Sequence, residues 1–444
     1  MLNRIRRSGM STFTIIWFGQ LVSLLGTAMT RFALLIWIYD QTGQATSLAL
    51  LGFFSFGASV LVSPLAGVII DRLDRRWVLI GADLGAGLMT VALLILYSIG
   101  HLQVWHLYLT SALTGAFEAF QIPAYAAATT LLVPKAHYAR ASGMRSLAES
   151  AADILAPFTA GLLLSVVALS GIMLLDVGTF LIAATTLLLV RIPRPAPEEA
   201  ADQQGQKWHD LTLGFRYIFQ RTGLLGLLLI NMGINFFGSL TYLALLPAMV
   251  LARSGSDPIA LASVQAALGI GALAGGFYMS IWGGPKRRIH GVLGGTAISF
   301  ILGDLLFAVG QSVTVWMIAA FIAAFFLPIL IGSYRAIWQA KVAPQVQGRV
   351  FAVLTMFNRS TMPMAYLLAG PLADHVFEPA MAPGGALVFL SWLVGAGPGA
   401  GMALMFGCTG VLGMLMSLSG YLFRAIRQVE GDLPDHDAMP QPSS

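Results

Sequence analysis

The sequence predicts an all-α membrane protein with twelve transmembrane helices in two pseudo-symmetric six-helix bundles. Of the 444 residues, 57% are hydrophobic and only 10% are charged, whereas a soluble domain usually carries about a quarter charged residues. Twelve apolar stretches are each long enough to cross a bilayer core about 30 Å thick, which takes roughly 20 residues of helix. The two halves of the chain also resemble each other in the spacing of their residues. Such long stretches are not those of a β-barrel, whose strands alternate over about ten residues.

The predicted spans follow one another with short connections. Residues 1–9 have the basic start of a signal peptide, but the apolar run behind them is too long and contains no small-residue cleavage site. We therefore expect the first span to be retained as a membrane helix. The spans cover residues 12–39, 45–70, 77–99, 106–132, 142–167, 170–190, 223–252, 258–282, 289–310, 314–334, 349–373 and 399–424.

The distribution of basic side chains predicts the orientation in the membrane. Twenty of the 25 Lys and Arg residues fall in the termini, the central linker and every second loop, on one predicted side. Only Arg253 falls on the other side. Because cytoplasmic loops carry the excess of basic residues, both termini are predicted to be cytoplasmic. The outer surface of such a multi-pass protein contacts membrane lipid.

Changes in composition divide the chain into four parts. Residues 1–190 are predicted to form an N-terminal six-helix bundle and residues 223–427 a C-terminal one. Residues 191–222 are rich in proline and polar side chains, and we interpret them as a cytoplasmic linker with an amphipathic piece on the membrane surface. The polar residues 428–444 are expected to form a disordered cytoplasmic tail.

The two bundles are related by an internal repeat at an offset of 208–212 residues. Three sets of small and basic residues recur in the same order in both halves. Six helices repeated in the same orientation imply two bundles related by an axis along the membrane normal, as in many transporters. The best match pairs Pro134, Arg140 and Gly161 with Pro344, Arg349 and Gly370.

Composition also excludes several classes of protein. A single cysteine, Cys408, rules out a disulfide framework and a cysteine-rich metal site. The net charge of +5 does not indicate a nucleic-acid partner, because the basic residues lie in short loops between apolar spans. The sequence contains neither a P-loop for ATP nor a concentrated set of catalytic side chains. We expect no cofactor, no metal, no nucleic acid and no enzymatic activity.

The loop after the second span resembles the best-known motif of the major facilitator superfamily. A glycine is followed four positions later by an acidic residue and then by a basic pair that closes a tight turn, although Asp74 stands where the family usually has a second glycine. The resemblance implies a conformational latch that docks near Arg349. The alternative is that the arginines only set topology, to which an acidic residue would contribute nothing. The residues that carry the resemblance are Gly67, Asp71, Arg72, Arg75 and Arg76.

The fifth span resembles exporters of the drug:proton antiporter type. Those proteins have glycines and a Gly-Pro pair at fixed spacing, and this chain has a small residue at each position, three of them alanine. The resemblance implies export, whereas the simpler interpretation is close helix packing through small residues. Pro157 also removes a backbone donor and bends the helix. The positions are Gly143, Ala152, Ala156, Pro157, Ala160 and Gly161.

Two further segments narrow the resemblance within the superfamily. The segments Phe18–Gly26 and Gly115–Tyr125 look like the bacterial branch that contains exporters of macrolides, peptide antibiotics and siderophores. That branch also contains lysophospholipid flippases, so a lipid substrate remains open. The resemblance implies a location in the bacterial inner (plasma) membrane.

Charged side chains within the predicted spans are candidate functional groups, because each costs free energy in the bilayer. Glu118 and Asp153 lie near the middle of the fourth and fifth spans, and a buried carboxylate binds a proton readily. Arg145, Glu149 and Asp153 are spaced i, i+4, i+8 on one helix face. The stripe is either a proton pathway or a self-neutralising set of charges at a bundle interface.

Four other charges within the spans are less clear from sequence. Arg31 is placed to pair with Glu118 or Asp153, or to meet an anionic substrate, and these options remain open. Arg359 is the corresponding oddity of the eleventh span. Asp176 is interpreted as a helix cap, and Asp304 is left undecided. Many drug exporters carry an arginine in the fourth span, whereas this chain has Glu118 there and no arginine.

These observations predict a secondary active transporter that acts as a monomer. The favoured function is proton-coupled efflux of amphiphilic small molecules by alternating access, with protons and a drug, macrolide, peptide antibiotic or siderophore as partners. The alternatives are a lysophospholipid flippase or a metabolite importer of the same fold, and a membrane receptor that does not transport.

Overall fold

The computed structural model describes residues 9–72, 75–190, 213–433 and 435. Within these ranges, the side chains of residues 67, 68, 70–72, 75 and 76 lie outside the description. Every regular element of the described residues is a helix, which confirms the predicted all-α fold class. Residues 191–212, the larger part of the predicted linker, fall outside the description.

The helices follow the predicted spans closely. The N-terminal set is α1 (Gly9–Thr42), α2 (Ala45–Arg72), α3 (Arg75–Ser98), α4 (Val104–Leu132) and α5 (Tyr138–Leu189). A short helix α6 covers 213–219. The remaining long helices are α7 (Thr222–Ser254), α8 (Pro258–Trp282), α9 (Arg288–Val309), α10 (Val313–Lys341), α11 (Pro344–Leu372) and α12 (Ala400–Leu422).

Helix α5 contains two of the predicted spans. It is 52 residues long, which corresponds to about 78 Å of helix and more than twice the thickness of a bilayer core. At Ala168 the backbone leaves the helical region, with φ 54° and ψ −178°. The break falls between the predicted spans 142–167 and 170–190, so the two crossings follow each other without a loop.

Nine helical segments of the described residues are long and apolar enough to cross a membrane. One of them is the double-length α5 segment, and α7 and α9 each count once although π-helical turns interrupt them. Helices α4 and α11 have 29 residues each and are not among these nine. With these two helices and the two parts of α5, the described helices are consistent with twelve crossings.

The described residues divide into two compact units. One unit contains everything before residue 191 together with 254–266, and the other contains 213–253 and the residues from 267 onwards. The first turns of α8 therefore group with the N-terminal unit, although the sequence places them in the C-terminal bundle.

Small residues bring the helices of the N-terminal unit together. A Cβ atom on Gly19 of α1 would lie 2.5 Å from the Thr186 hydroxyl of α5. A Cβ atom on Gly115 of α4 would collide with the Ser55 carbonyl oxygen of α2. These close approaches place polar side chains of α1 within reach of α3, α4 and α5.

In the C-terminal unit, buried cations are satisfied mainly by backbone carbonyls. The ammonium of Lys341 is 4% exposed, and it donates to the carbonyls of Glu430 and Leu433 and to Asp435 Oδ1, which is 2.7 Å away. Arg253 donates to the carbonyl oxygens of Gly310, Val394 and Gly399.

Residues Val429–Asp432 form a helical turn, and Glu430 and Leu433 in this stretch supply carbonyl acceptors to the Lys341 ammonium. The disorder expected for residues 428–444 stays a prediction. Residues 434 and 436–444 lie outside the description.

Three π-helical turns interrupt the long helices of the C-terminal unit. They cover Ser239–Leu245 in α7, Phe300–Asp304 in α9 and Ala373–Phe377 after α11. Such turns are rare and occur frequently at functional sites. The segment between α11 and α12 otherwise contains only one-turn helices such as Ser391–Val394, which are too short to cross a bilayer.

Candidate functional site

A polar stripe on α1 reaches three carboxylates on three other helix segments. Gln20, Thr27 and Arg31 are spaced i, i+7, i+11, so they share one face of the helix. Each of them donates a hydrogen bond to a different carboxylate. The acceptors are Asp83 on α3, Asp176 on the second part of α5, and Glu118 on α4.

Arg31 pairs with Glu118, one of the options left open by the sequence. Arg31 Nη2 lies 2.8 Å from Glu118 Oε1, and the two side chains are 56% and 34% exposed in the protein alone. This geometry leaves both charges accessible rather than sealed in the protein interior.

The first part of α5 brings a second ion pair to the same unit. Arg145 Nε lies 2.8 Å from Glu149 Oε1 one turn further along the helix. The Arg145 guanidinium also lies over the Tyr125 ring of α4, 5.4 Å from its centroid. Trp17 of α1 donates to the Met144 carbonyl at 2.7 Å, so α1, α4 and α5 meet at this level.

Unlike Glu118 and Glu149, Asp153 has no ion pair among the described residues. It is exposed in the protein alone, and it lies close enough to Arg31 and Glu149 for both charges to act on it. The set therefore holds three carboxylates and two guanidinium groups. With all five ionised it has one surplus negative charge, which a proton or a cationic ligand can neutralise. We call Arg31, Glu118, Arg145, Glu149 and Asp153 the charge cluster.

Asp83 was missed by the sequence analysis. It is 6% exposed, and its two carboxylate oxygens accept from the side-chain amides of Gln20 at 2.7 Å and of Gln121. Its position six residues inside an apolar span was an available signal, since any ionisable residue there is costly. Amide donors from α1 and α4 hold it, and none of the described side chains forms an ion pair with it.

The interpretation of Asp176 as a helix cap is wrong. It lies well inside the second part of α5 and is 2% exposed. Its carboxylate accepts from the hydroxyls of Thr27 and Thr90, each at 3.0 Å. Hydroxyl groups on two facing helices replace the backbone donors that a cap would bind, so Asp176 links α1, α3 and α5.

The proposed latch residues lie where little is described. Helix α2 ends at Arg72 and α3 begins at Arg75, and the two residues between them are outside the description. The surroundings of Gly67 and the side chains of Asp71, Arg72, Arg75 and Arg76 are also outside the description. Their latch role stays a prediction. The latch was predicted to dock near Arg349 of α11. At that residue, a Cβ atom on Gly214 of α6 would lie 2.7 Å from the Arg349 carbonyl oxygen.

The exporter-type positions of α5 are buried except at the start. A Cβ atom on Gly161 would lie 3.1 Å from Ala262 Cβ on the first turns of α8, within the same unit. Gly143 has open space around it instead. The remaining positions, Ala152, Ala156, Pro157 and Ala160, are buried. The face is therefore a packing surface from Ala152 onwards, and its relation to export stays a prediction.

Arg359 belongs to the C-terminal unit, whereas the charge cluster lies in the N-terminal unit. Arg359 is exposed on α11, next to Asn358, whose side-chain oxygen accepts from the Asn231 amide of α7 at 2.9 Å. The structure thus brings together five of the charged residues singled out from sequence, all in the N-terminal unit.

Comparison with known proteins agrees with this architecture. The chain is 28% identical over 368 residues to macrolide efflux protein A of Streptococcus pyogenes, covering 82% of this chain and 90% of the relative. It is 28% identical over 327 residues to macrolide efflux protein A of Enterococcus faecalis, covering 73% of this chain and 99% of the relative.

A solved structure shows the same fold. The crystal structure of a bacterial homolog to the human lysosomal transporter Spinster, inward-facing and unoccupied, matches with a TM-score of 0.69 and 16% identity, covering 95% of this chain and 98% of that one. The sequence profile of the Major Facilitator Superfamily matches residues 16–366. The chain is therefore a multi-pass membrane transporter, not an enzyme, and it belongs to the Major Facilitator Superfamily.

Proposed function

We propose that this transporter exports amphiphilic small molecules from the cytoplasm of a bacterium in exchange for protons. The observation that carries the proposal is the charge cluster, in which three carboxylates face two guanidinium groups. A surplus negative charge in a membrane protein is costly. Either a proton or the cationic group of an amphiphile removes that cost, so the two compete for one site.

Competition for one site is what exchange requires. When Asp153 or Glu118 binds a proton from outside, the cluster becomes neutral and a cationic substrate loses its partner. When the proton leaves to the cytoplasm, the surplus charge attracts a new substrate molecule. Protonation of Glu118 would also weaken its ion pair with Arg31 and free that guanidinium. All of these groups belong to the N-terminal unit, which supports the proposal.

Two other observations support export and this class of substrate. The relatives over most of the chain are named macrolide efflux proteins. The small-residue face of α5 resembles that of drug:proton antiporters, and its buried part includes the bend at Pro157. We propose the bacterial inner membrane as the location, with both termini cytoplasmic and the monomer as the active form. A lysophospholipid flippase and a metabolite importer remain the alternative functions.

The proposal is tested in proteoliposomes with an imposed pH gradient and a radiolabelled macrolide. We expect gradient-driven transport in the wild type, and its loss in Asp153→Asn and in Glu118→Gln. Exchange of labelled for unlabelled macrolide without a gradient should also weaken, because the neutral variants resemble the protonated state, in which the cationic substrate has lost its partner. Asp40→Asn, at the end of α1 and outside the charge cluster, is the matched control and should transport normally.

Full gradient-driven transport in both Asp153→Asn and Glu118→Gln would overturn the proton assignment. A fluorescent lysophospholipid in the same vesicles tests the flippase: its movement without any macrolide transport would replace the export proposal. Macrolide moving with the proton rather than against it would identify an importer.

Orientation is tested separately by cysteine labelling in intact cells. Replacing Cys408 with serine gives a cysteine-free background, because it is the only cysteine in the chain. Single cysteines at Leu73 and Gly283 should react only after the membrane is made permeable, and one at Gln103 should react in intact cells. Reaction of the first two from outside would reverse the proposed topology.

A further inference from the structure

A buried acid in the C-terminal unit lies outside the charge cluster. Asp304 is 0% exposed, and the Tyr242 hydroxyl donates to its Oδ2 atom at 2.8 Å. Both residues lie in π-helical turns, Ser239–Leu245 of α7 and Phe300–Asp304 of α9. Two rare turns in different helices thus meet at one acid–phenol pair, and such turns are frequent at functional sites.

The surroundings of this pair are closely packed. A Cβ atom on Gly303 would lie 2.9 Å from the Tyr242 hydroxyl oxygen, and one on Gly410 of α12 would lie 3.0 Å from Asp304 Cβ. The Tyr242 ring makes edge contacts with Phe307 and Phe406, each at a centroid distance of 5.8 Å. Glycines provide the space and aromatic rings close it, which leaves the carboxyl group in apolar surroundings.

One carboxyl oxygen has no hydrogen bond. Oδ1 of Asp304 is buried and lacks a partner among the described residues. The hydroxyl of the neighbouring Thr241 donates instead to the Phe237 carbonyl at 2.9 Å. An ionised carboxylate would therefore hold its charge in apolar surroundings with one oxygen lacking a hydrogen bond, which is strongly unfavourable. A protonated carboxyl group is neutral and avoids that cost.

No cation of the described residues reaches the pair. The helices packed against the two turns are α10, α11 and α12. On α10 and α12, the residues that contact this region include Ala323, Phe406 and Gly410. The basic and phenolic groups of these helices lie at least eleven positions from Ala323 and Gly410, about 16 Å of rise. Cys408 lies on another face of α12. The titratable groups of all five helices are Tyr242 itself, Arg253, Arg288, His290, Tyr334, Arg335, Lys341, Arg349, Arg359, Tyr366, Cys408 and Tyr421.

Arg253 and the α11 arginines are equally remote along their helices. Arg253 is eleven positions beyond Tyr242 on α7. Arg359 lies at the level of Asn231 through the Asn231–Asn358 hydrogen bond, and Asn231 is eleven positions before Tyr242, again about 16 Å of rise. Tyr366 is a neutral phenol. Asp304 thus has neutral neighbours on every packed helix.

We propose that Asp304 is a second proton-binding site of this transporter, occupied by a proton in the conformation described. Tyr242 holds the carboxyl group in place. The proton leaves as water reaches Oδ1: the carboxyl O–H bond breaks, the proton passes to water, and the carboxylate remains until it is protonated again. The site rests on membership of the transporter superfamily and does not depend on the charge cluster.

The π-helical turns provide a route by which the site can open. A helix that loses its extra residue per turn shifts the following side chains by one position, about 100° around the axis. Such a shift in α7 or α9 would separate Tyr242 from Asp304 and admit water. The conformational change would then set when the proton is held and when it is released.

Infrared spectroscopy of the purified protein tests the proposal without a substrate. The wild type at neutral pH should show the C=O band of a protonated carboxyl group, and Asp304→Asn should lose this band. The band should move in D₂O, because a transported proton must exchange with solvent. Asp40→Asn should keep it, as should Asp153→Asn, unless the charge cluster contributes a separate band.

Tyr242→Phe keeps the test decisive if Asp304→Asn fails to fold. Removal of the phenol takes away one hydrogen bond, so the same band should shift to higher frequency. An unchanged spectrum in both variants would overturn the proposal, as would a band that never responds to D₂O, since that proton could not be carried. The charge cluster is tested by transport in Asp153→Asn, and the Asp304 site is tested by the infrared band. A negative result for one site therefore does not decide the result for the other.

Discussion

The two units of the molecule satisfy their cations in different ways. In the N-terminal unit, guanidinium groups meet carboxylates in exposed pairs, as Arg31 meets Glu118 and Arg145 meets Glu149. In the C-terminal unit, Arg253 and Lys341 bind mainly backbone carbonyls. The net charge of an ion pair changes whenever one of its partners binds or loses a proton. A charge that is bound by backbone carbonyls has no such titrating partner, so it contributes to the stability of the fold and is affected mainly when water enters.

Lys341→Met should produce the largest loss of stability, because it removes a buried ammonium with three acceptors. We expect the free energy of unfolding to fall by about 2–4 kcal/mol, since hydrogen bonds to charged groups contribute more than neutral ones. Thermal unfolding in detergent measures it. The exposed Lys286→Met is the control and should change stability by less than about 0.5 kcal/mol. Equal effects at the two lysines would break the contrast between the units.

Gly26→Ala should cause the next largest loss in the free energy of unfolding. A Cβ atom at this position collides with the Thr179 hydroxyl and lies 3.1 Å from Asp176 Cα. Overpacking of this kind costs about 1–3 kcal/mol. Gly178→Ala has open space around its Cβ and should be neutral or slightly stabilising, because alanine favours helix more than glycine. Thermal unfolding of both variants compares them directly, and destabilisation by Gly178→Ala alone would contradict the packing described.

The Arg31–Glu118 pair should contribute little to stability, although we propose a role for it in transport. A double-mutant cycle with Arg31→Gln and Glu118→Gln should give a coupling energy of about 1 kcal/mol or less, as expected for exposed pairs. The same variants should alter the pH dependence of transport. A coupling of several kcal/mol would mean that the pair is structural, like Lys341, and would remove the difference between the two units.

The smallest effect is expected for Arg145 and Glu149. As an i, i+4 pair on one helix, they should show a coupling of about 0.3–0.5 kcal/mol in unfolding experiments. High salt should reduce it further, because exposed charges are screened. A coupling that does not depend on salt would indicate that the pair is shielded from solvent, and would sharpen the account of the charge cluster.

The sequence predicted helix positions better than helix environments. The spans around α5 were located correctly, yet the absence of a loop at Ala168 depends on one backbone angle that residue type does not encode. Arg31 had two possible carboxylate partners, because sequence spacing along one helix says nothing about neighbours on another.

Buried acids show the same limit. Asp176 was misassigned because its donors, Thr27 and Thr90, are far away in the sequence. Asp83 was missed although its place in an apolar run was visible. The role of Asp304 could not be predicted from sequence, because π-helical turns leave no periodic signature there. The proposed role of Asp304 depends on its hydrogen bond with Tyr242 of another helix.

The break in α5 makes glycine the stabilising residue at one position of a membrane helix. Ala168 has φ 54° and ψ −178°, a region that is occupied almost only by glycine and that costs other residues about 1–3 kcal/mol. The greater backbone freedom of glycine when unfolded costs only about 0.5–1 kcal/mol. Ala168→Gly should therefore yield a more heat-resistant transporter, a practical starting point for crystallisation.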